Sequence, residues 1–85
     1  MEPYRIIYHP WVTEKTQRQM EEENKLEFIV NRRADKKQIK KAVETLYEVK
    51  VAKVNTRIAK EGKHATIKLA KPYKADEIAT RIGVF

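Results

Sequence analysis

The alternation of apolar and polar positions divides this 85-residue chain into short elements. Leu26, Phe28 and Val30 alternate with Glu27, Ile29 and Asn31, which predicts a strand with one strongly apolar face. Residues 32–35 form a connector. Asp35 and Gln38 then match a capping box, with Ala34 and Ile39 at the two staple positions around it. Ile39, Ala42, Val43, Leu46 and Tyr47 recur along one helical face and belong to the core. Ala52, Val54, Thr56 and Ile58 alternate with Lys53, Asn55 and Arg57 as a second strand, and Val51 breaks the phase where the chain leaves the helix. Ala65, Ile67 and Leu69 alternate with Thr66 and Lys68 as a third. Residues 60–63 between them read as a hairpin loop with Gly62 as its left-handed residue.

The two ends are less regular. Residues 4–8 read as a short strand. Residues 14–22 read as a helix with Thr13 as N-cap, Glu14 at the positive end of the dipole, and Thr16 and Met20 as the inward pair. Residues 75–82 predict a short helix that buries Ile78, Ala79 and Ile82. Gly83 ends it, and Val84 is placed to fold back. The strand–helix–strand unit calls for a right-handed crossover and a roughly parallel strand pair, to which the hairpin adds an antiparallel strand. The expected fold is α+β: a small mixed or antiparallel sheet packed by helices, in a single domain over residues 1–85.

Composition narrows the functions open to such a domain. A chain this short has a thin core. It has no cysteine, hence no disulfide framework or thiolate metal site. No apolar run suits a signal peptide or a membrane span, so neither export nor membrane insertion is expected. The net charge is +7, and its distribution matters more than its size. Residues 1–24 carry −2, residues 25–74 carry +10 and residues 75–85 carry −1. Such a concentration repels itself unless a polyanion neutralises it, which points to nucleic acid.

The basic residues fall into groups. Arg32, Arg33, Lys36, Lys37, Lys40 and Lys41 crowd into ten positions, and the four lysines form a band away from the apolar helix stripe. They oppose the helix dipole, a cost that an adjacent phosphate backbone would offset. Lys53, Asn55, Arg57 and Lys68 share one sheet face or its edge. Lys63 and His64 stand in the hairpin as further RNA candidates. The strands offer one aromatic, Phe28, which alternation sends inward, so base stacking on the sheet is not expected. No RNP-type aromatic motif, helix-turn-helix, zinc finger or basic zipper is present. This favours shape recognition of folded RNA rather than DNA. A nuclease built from His9, Glu14 and His64 would need the N-terminal segment to meet the hairpin, which no spacing demands. There is no phosphate-binding glycine loop, metal cluster or nucleophile motif, so neither catalysis nor a cofactor is expected. Trp11 reads as a half-buried anchor.

The succession Val12-Thr13-Glu14-Lys15, the strand at residues 25–30, Ile39-Lys40-Lys41-Ala42-Val43, Leu46-Tyr47-Glu48-Val49 and Val54-Asn55-Thr56 resembles the universal large-subunit ribosomal protein L twenty-three family. The resemblance runs from about Ile6 to Phe85 and rests on the order and spacing of these motifs together. Residues 59–64 leave no room for the long basic hairpin extension of bacterial members. The chain starts almost at the domain, without the basic arm of eukaryotic ones, while residues 78–83 resemble the archaeal and eukaryotic branch. The combination resembles an archaeal member. The resemblance implies a ferredoxin-like fold, bound in the cytoplasm to large-subunit rRNA and neighbouring ribosomal proteins beside the polypeptide exit. Lys15, Thr56 and Lys60 join the groups above as expected rRNA contacts. The residues matching Val12, Thr13 and Glu14 would form a docking surface for the signal recognition particle and the protein translocation channel. The alternative is a free-standing basic RNA-binding module outside the ribosome.

Overall fold

The computed structural model describes residues 2–83 and runs α1 (Pro3–Ile6), β1 (Ile7–Pro10), α2 (Glu14–Glu23), β2 (Lys25–Val30), α3 (Lys36–Tyr47), β3 (Val51–Ala59), β4 (Gly62–Leu69) and α4 (Ala75–Arg81). The longer helices begin where local chemistry dictates. The Thr13 hydroxyl accepts from Thr16 N–H at 3.2 Å, and Thr13 N–H donates to the Thr16 hydroxyl at 2.7 Å. Asp35 and Gln38 form the same reciprocal box for α3, with Ala34 and Ile39 buried around it. At the N-terminus, Pro3 takes a first-turn position and Ile6 is buried, so a single helical turn replaces the first half of the expected strand. The strand proper starts at Ile7.

The sheet order is β1-β2-β4-β3, with every adjacent pair antiparallel. The expected parallel pair does not form. β2 and β3 point the same way, but β4 lies between them. The tight turn at Lys60 and Glu61 pairs Ala59 with Gly62 (φ +132°) and lays β4 along β3, so the free edge of β4 is what meets β2. All four helices contribute to one apolar cluster, with Ile6, Met20, Ile39, Ala42, Val43, Ile78 and Ala79 packed against Leu26, Phe28, Val30, Val54, Ala65, Ile67 and Leu69. Phe28 stacks on Tyr47 with ring centroids 5.8 Å apart, and burial raises the Tyr47 phenol above its ordinary pKa.

Three burial expectations need correction. β2 buries Glu27 and Ile29 as well as Leu26, Phe28 and Val30, because both its flanks are paired and its outer face is covered. A register shift between Val51 and Lys53 turns Val51 inward and leaves Ala52 exposed. The Glu44 carboxylate accepts Val51 N–H there at 2.9 Å. Ile58 is 58% exposed, because β3 is an edge strand with one neighbour. Val84 lies outside the described residues.

Asn24 ties the last helix to the rest. It sits in the left-handed region (φ 58°) at the end of α2. Its amide donates to the Leu69 and Tyr73 carbonyls at 3.2 and 2.8 Å, and its Oδ1 accepts Ala75 N–H at 2.7 Å. The residue preceding α4, Lys74, provides no side-chain cap, so Asn24 caps that helix from 51 residues away. Asn24→Gly keeps the backbone geometry and should cost about 1–3 kcal/mol through the unsatisfied groups. Asn24→Ala adds about 1–2 kcal/mol of left-handed strain. Thermal unfolding should therefore rank wild type above Asn24→Gly above Asn24→Ala; equal melting of all three would remove this role.

Candidate nucleic-acid interface

The strand register places the polar alternates of three strands side by side on the face away from the helices. Lys25, Lys68 and Lys53 form one cross-strand row. Glu27, Thr66 and Asn55 form the next, and Ile29, His64 and Arg57 the third. Lys53, Asn55 and Lys68 are exposed. Lys25 is half-buried and paired with Glu23 at 3.1 Å. Like charges directly opposite one another destabilise a sheet, so three adjacent lysines form a surface that an anion would relieve.

Beneath this row lies a buried polar cluster. His64 is fully buried. Its Nδ1 lies 2.7 Å from Glu27 Oε2 and its Nε2 2.8 Å from Glu61 Oε1. Each ring nitrogen therefore faces a carboxylate oxygen. Arg57 donates to the same Glu27 oxygen at 2.9 Å, and the Thr66 hydroxyl donates to Oε1 at 3.4 Å. Trp11 closes the cluster with its ring edge-on to His64, centroids 5.1 Å apart, while its backbone N–H donates to the Glu27 carbonyl at 2.9 Å. Among the described residues, no buried side-chain polar atom lacks a partner. The Arg57 side chain stays 55% exposed, so its guanidinium spans from the buried carboxylate to the surface.

Other expected contacts are distributed differently. Lys36, Lys37 and Lys40 are exposed on α3, in the helix layer, so they form a surface separate from the sheet lysines. Arg32, Arg33 and Lys60 are exposed in the connector and the hairpin turn. Lys63 Nζ donates to the Ala34 carbonyl at 2.7 Å and is held inside the fold. Thr56 is half-buried on the helix side, opposite Ala65. His64 has no exposed surface, which corrects its reading as an RNA contact and removes it from any surface site with His9 and Glu14. Lys15 is exposed on α2 beside Glu14, apart from the sheet face. Val12 is 41% exposed, and the Glu14 side chain 92%. Thr13 spends its hydroxyl on the helix cap.

Lys25, Glu27 and Tyr8 went unrecognised in the sequence. Lys25 adjoins the sheet row only once β4 is known to lie between β2 and β3. Glu27 looked like a solvent-facing alternate. Tyr8 is 54% exposed on β1, so the strands do present an aromatic to solvent.

A family model described as Ribosomal protein L23 matches residues 5–77. The chain is 54% identical over 79 residues to a Picrophilus torridus protein named large ribosomal subunit protein uL23, covering 93% of this chain and 96% of that one. A protein of the same name from Thermoplasma acidophilum is 54% identical over 80 residues, covering 94% and 95%. Another from Methanothermobacter thermautotrophicus is 45% identical over the whole of both chains. The archaeal resemblance seen in the motifs extends along nearly the full length, and the chain belongs to the ribosomal protein L23 family.

Proposed function

We propose that this protein is a structural constituent of the large ribosomal subunit, bound in the cytoplasm to rRNA beside the polypeptide exit. The names of its relatives support the assignment to that subunit. The observation that carries RNA binding is the Lys25–Lys68–Lys53 row on the open sheet face, with Arg57 and Asn55 beside it. Phosphates approaching this face meet lysines whose backbones the strands already hold in register, so no backbone ordering is needed on binding. Lys36, Lys37 and Lys40 on α3 give a second contact surface, and Arg32, Arg33 and Lys60 extend the first around the rim. No metal or organic cofactor enters this reading.

The opposite chemistry appears on α2. Glu14, Glu21, Glu22 and Glu23 are all exposed, so this helix repels a phosphate backbone. Val12 and Glu14 at its start offer an apolar side chain and an exposed carboxylate, 4.0 Å from Arg18, a surface suited to proteins rather than RNA. The exit-site partners implied by the family resemblance, the signal recognition particle and the translocation channel, dock here in this reading, with neighbouring ribosomal proteins around the rest.

Two measurements follow. Replacing Lys25, Lys53 and Lys68 together with Gln should flatten the log–log salt dependence of binding to deproteinised archaeal large-subunit rRNA by about two to three. The same change at Lys36, Lys37 and Lys40 should flatten it by a similar amount; a slope unchanged in either variant removes that surface from the interface. In assembled subunits, Glu14→Lys should weaken binding of the signal recognition particle while rRNA occupancy stays at the wild-type level, because reversal adds repulsion to the lost attraction. Full occupancy with undiminished particle affinity would contradict docking at this residue.

A further inference from the structure

A hollow of about 590 Å³ opens at the end of the sheet, where β1, the start of β4 and the connector before α3 come together. This lies within the ~300–1,000 Å³ range of small-ligand sites. Tyr8 and His9 form one side, Glu61 and Gly62 the other, and Arg32 and Arg33 the rim. Buried Ile29 lies between the two sides. Gly62 sits at φ +132°, a backbone conformation that disfavours any other residue.

The groups around the hollow have the chemistry of a nucleotide. Tyr8 is 54% exposed on the edge strand, beside the register shift between Ile7 and His9. His9 Nδ1–H donates to the Pro10 carbonyl at 3.0 Å, which holds the second ring beside it. Lys63, although it lines the hollow, has its ammonium on the Ala34 carbonyl, so the cations at the rim are the two exposed arginines. Glu61 holds His64 through Oε1 and presents a carboxylate wall, the partner that exocyclic amino groups of bases seek. Aromatic side chains stack on splayed bases, and arginines hold the accompanying phosphates.

We infer that this hollow receives one unstacked nucleotide of the bound RNA, its base against Tyr8 and its phosphates on Arg32 and Arg33. The inference rests on the RNA-binding reading above and adds a base-specific contact to an interface otherwise made of phosphate contacts. The carboxylate wall favours adenine or cytosine, which carry amino groups, over uracil.

The test uses the full chain and deproteinised archaeal large-subunit rRNA. Tyr8→Ala should weaken binding by about 5- to 150-fold, the effect of losing one base–aromatic stack, and leave the salt slope unchanged because no charge is removed. Tyr8→Phe keeps the ring and should bind within about twofold of wild type. Ultraviolet irradiation of the wild-type complex should join Tyr8 to a single nucleotide, a readout that does not depend on the variants folding. Wild-type affinity in Tyr8→Ala, or crosslinks that never involve Tyr8, would overturn the inference. The triple lysine variant separates the two failures. If it flattens the slope while Tyr8→Ala binds normally, the RNA reading stands and the nucleotide site falls. If Tyr8→Ala, the sheet lysine variant and the α3 lysine variant all bind with wild-type affinity and slope, the RNA reading itself falls. Tyr8→Ala subunits with normal rRNA affinity that lose a neighbouring protein would assign the tyrosine to a protein contact and overturn the inference as well.

Discussion

A buried carboxylate on the open face of the sheet holds this small domain together. Glu27 meets Arg57, His64 and Thr66, which come from the two strands beyond it, and His64 reaches on to Glu61 in the hairpin turn. Taking an ion out of water costs several kcal/mol unless its partners are well placed, so the cluster is stable in one strand order and one register. A one-residue slip would send Glu27 into the apolar layer and Phe28 out of it. Trp11 covers the cluster and adds apolar burial on a face that would otherwise be bare, which matters in a chain too short for a large core.

The same cluster organises the surface chemistry. Arg57 is anchored below by Glu27 and open above, so its guanidinium is positioned before any RNA arrives. On the other side, Trp11 is fixed by the Glu27 backbone and the His64 ring, and the residues that follow it are Val12, Thr13 and Glu14. The strands proposed to face RNA and the helix start proposed to face proteins therefore share one buried support. The acidic α2 meets the basic sheet row at one point, the Glu23–Lys25 pair, and its start at Glu14 lies at the other end of the helix.

How much of this was legible in the sequence follows from how local each feature is. Thr13, Asp35 and Gln38 announced their helix starts because a cap is decided within four residues. The Ile39–Ala42–Val43 stripe and the apolar alternates of β2 and β4 were equally plain. The sheet order was not, because the insertion of β4 between β2 and β3 depends on contacts some forty residues apart. That one fact hid Lys25 as a neighbour of Lys68 and Lys53. Glu27 and His64 were hidden for a related reason: a polar residue at an alternate strand position reads as solvent-facing unless its cross-strand partners are known. Lys53, Asn55, Arg57 and Lys68 were grouped correctly, because strand parity alone puts them on one face. Lys63 and Thr56 share the other parity, and that signal was available.

The central claim is that the outer sheet face is covered by RNA while the start of α2 stays open. Amine-reactive mass tagging of intact large subunits, compared with the free protein, reads both at once. Lys53 and Lys68 should be tagged readily in the free protein and protected in the subunit, while Lys15, beside Glu14, stays reactive in both. Tagging of Lys53 and Lys68 at the free-protein rate inside the subunit would contradict the account.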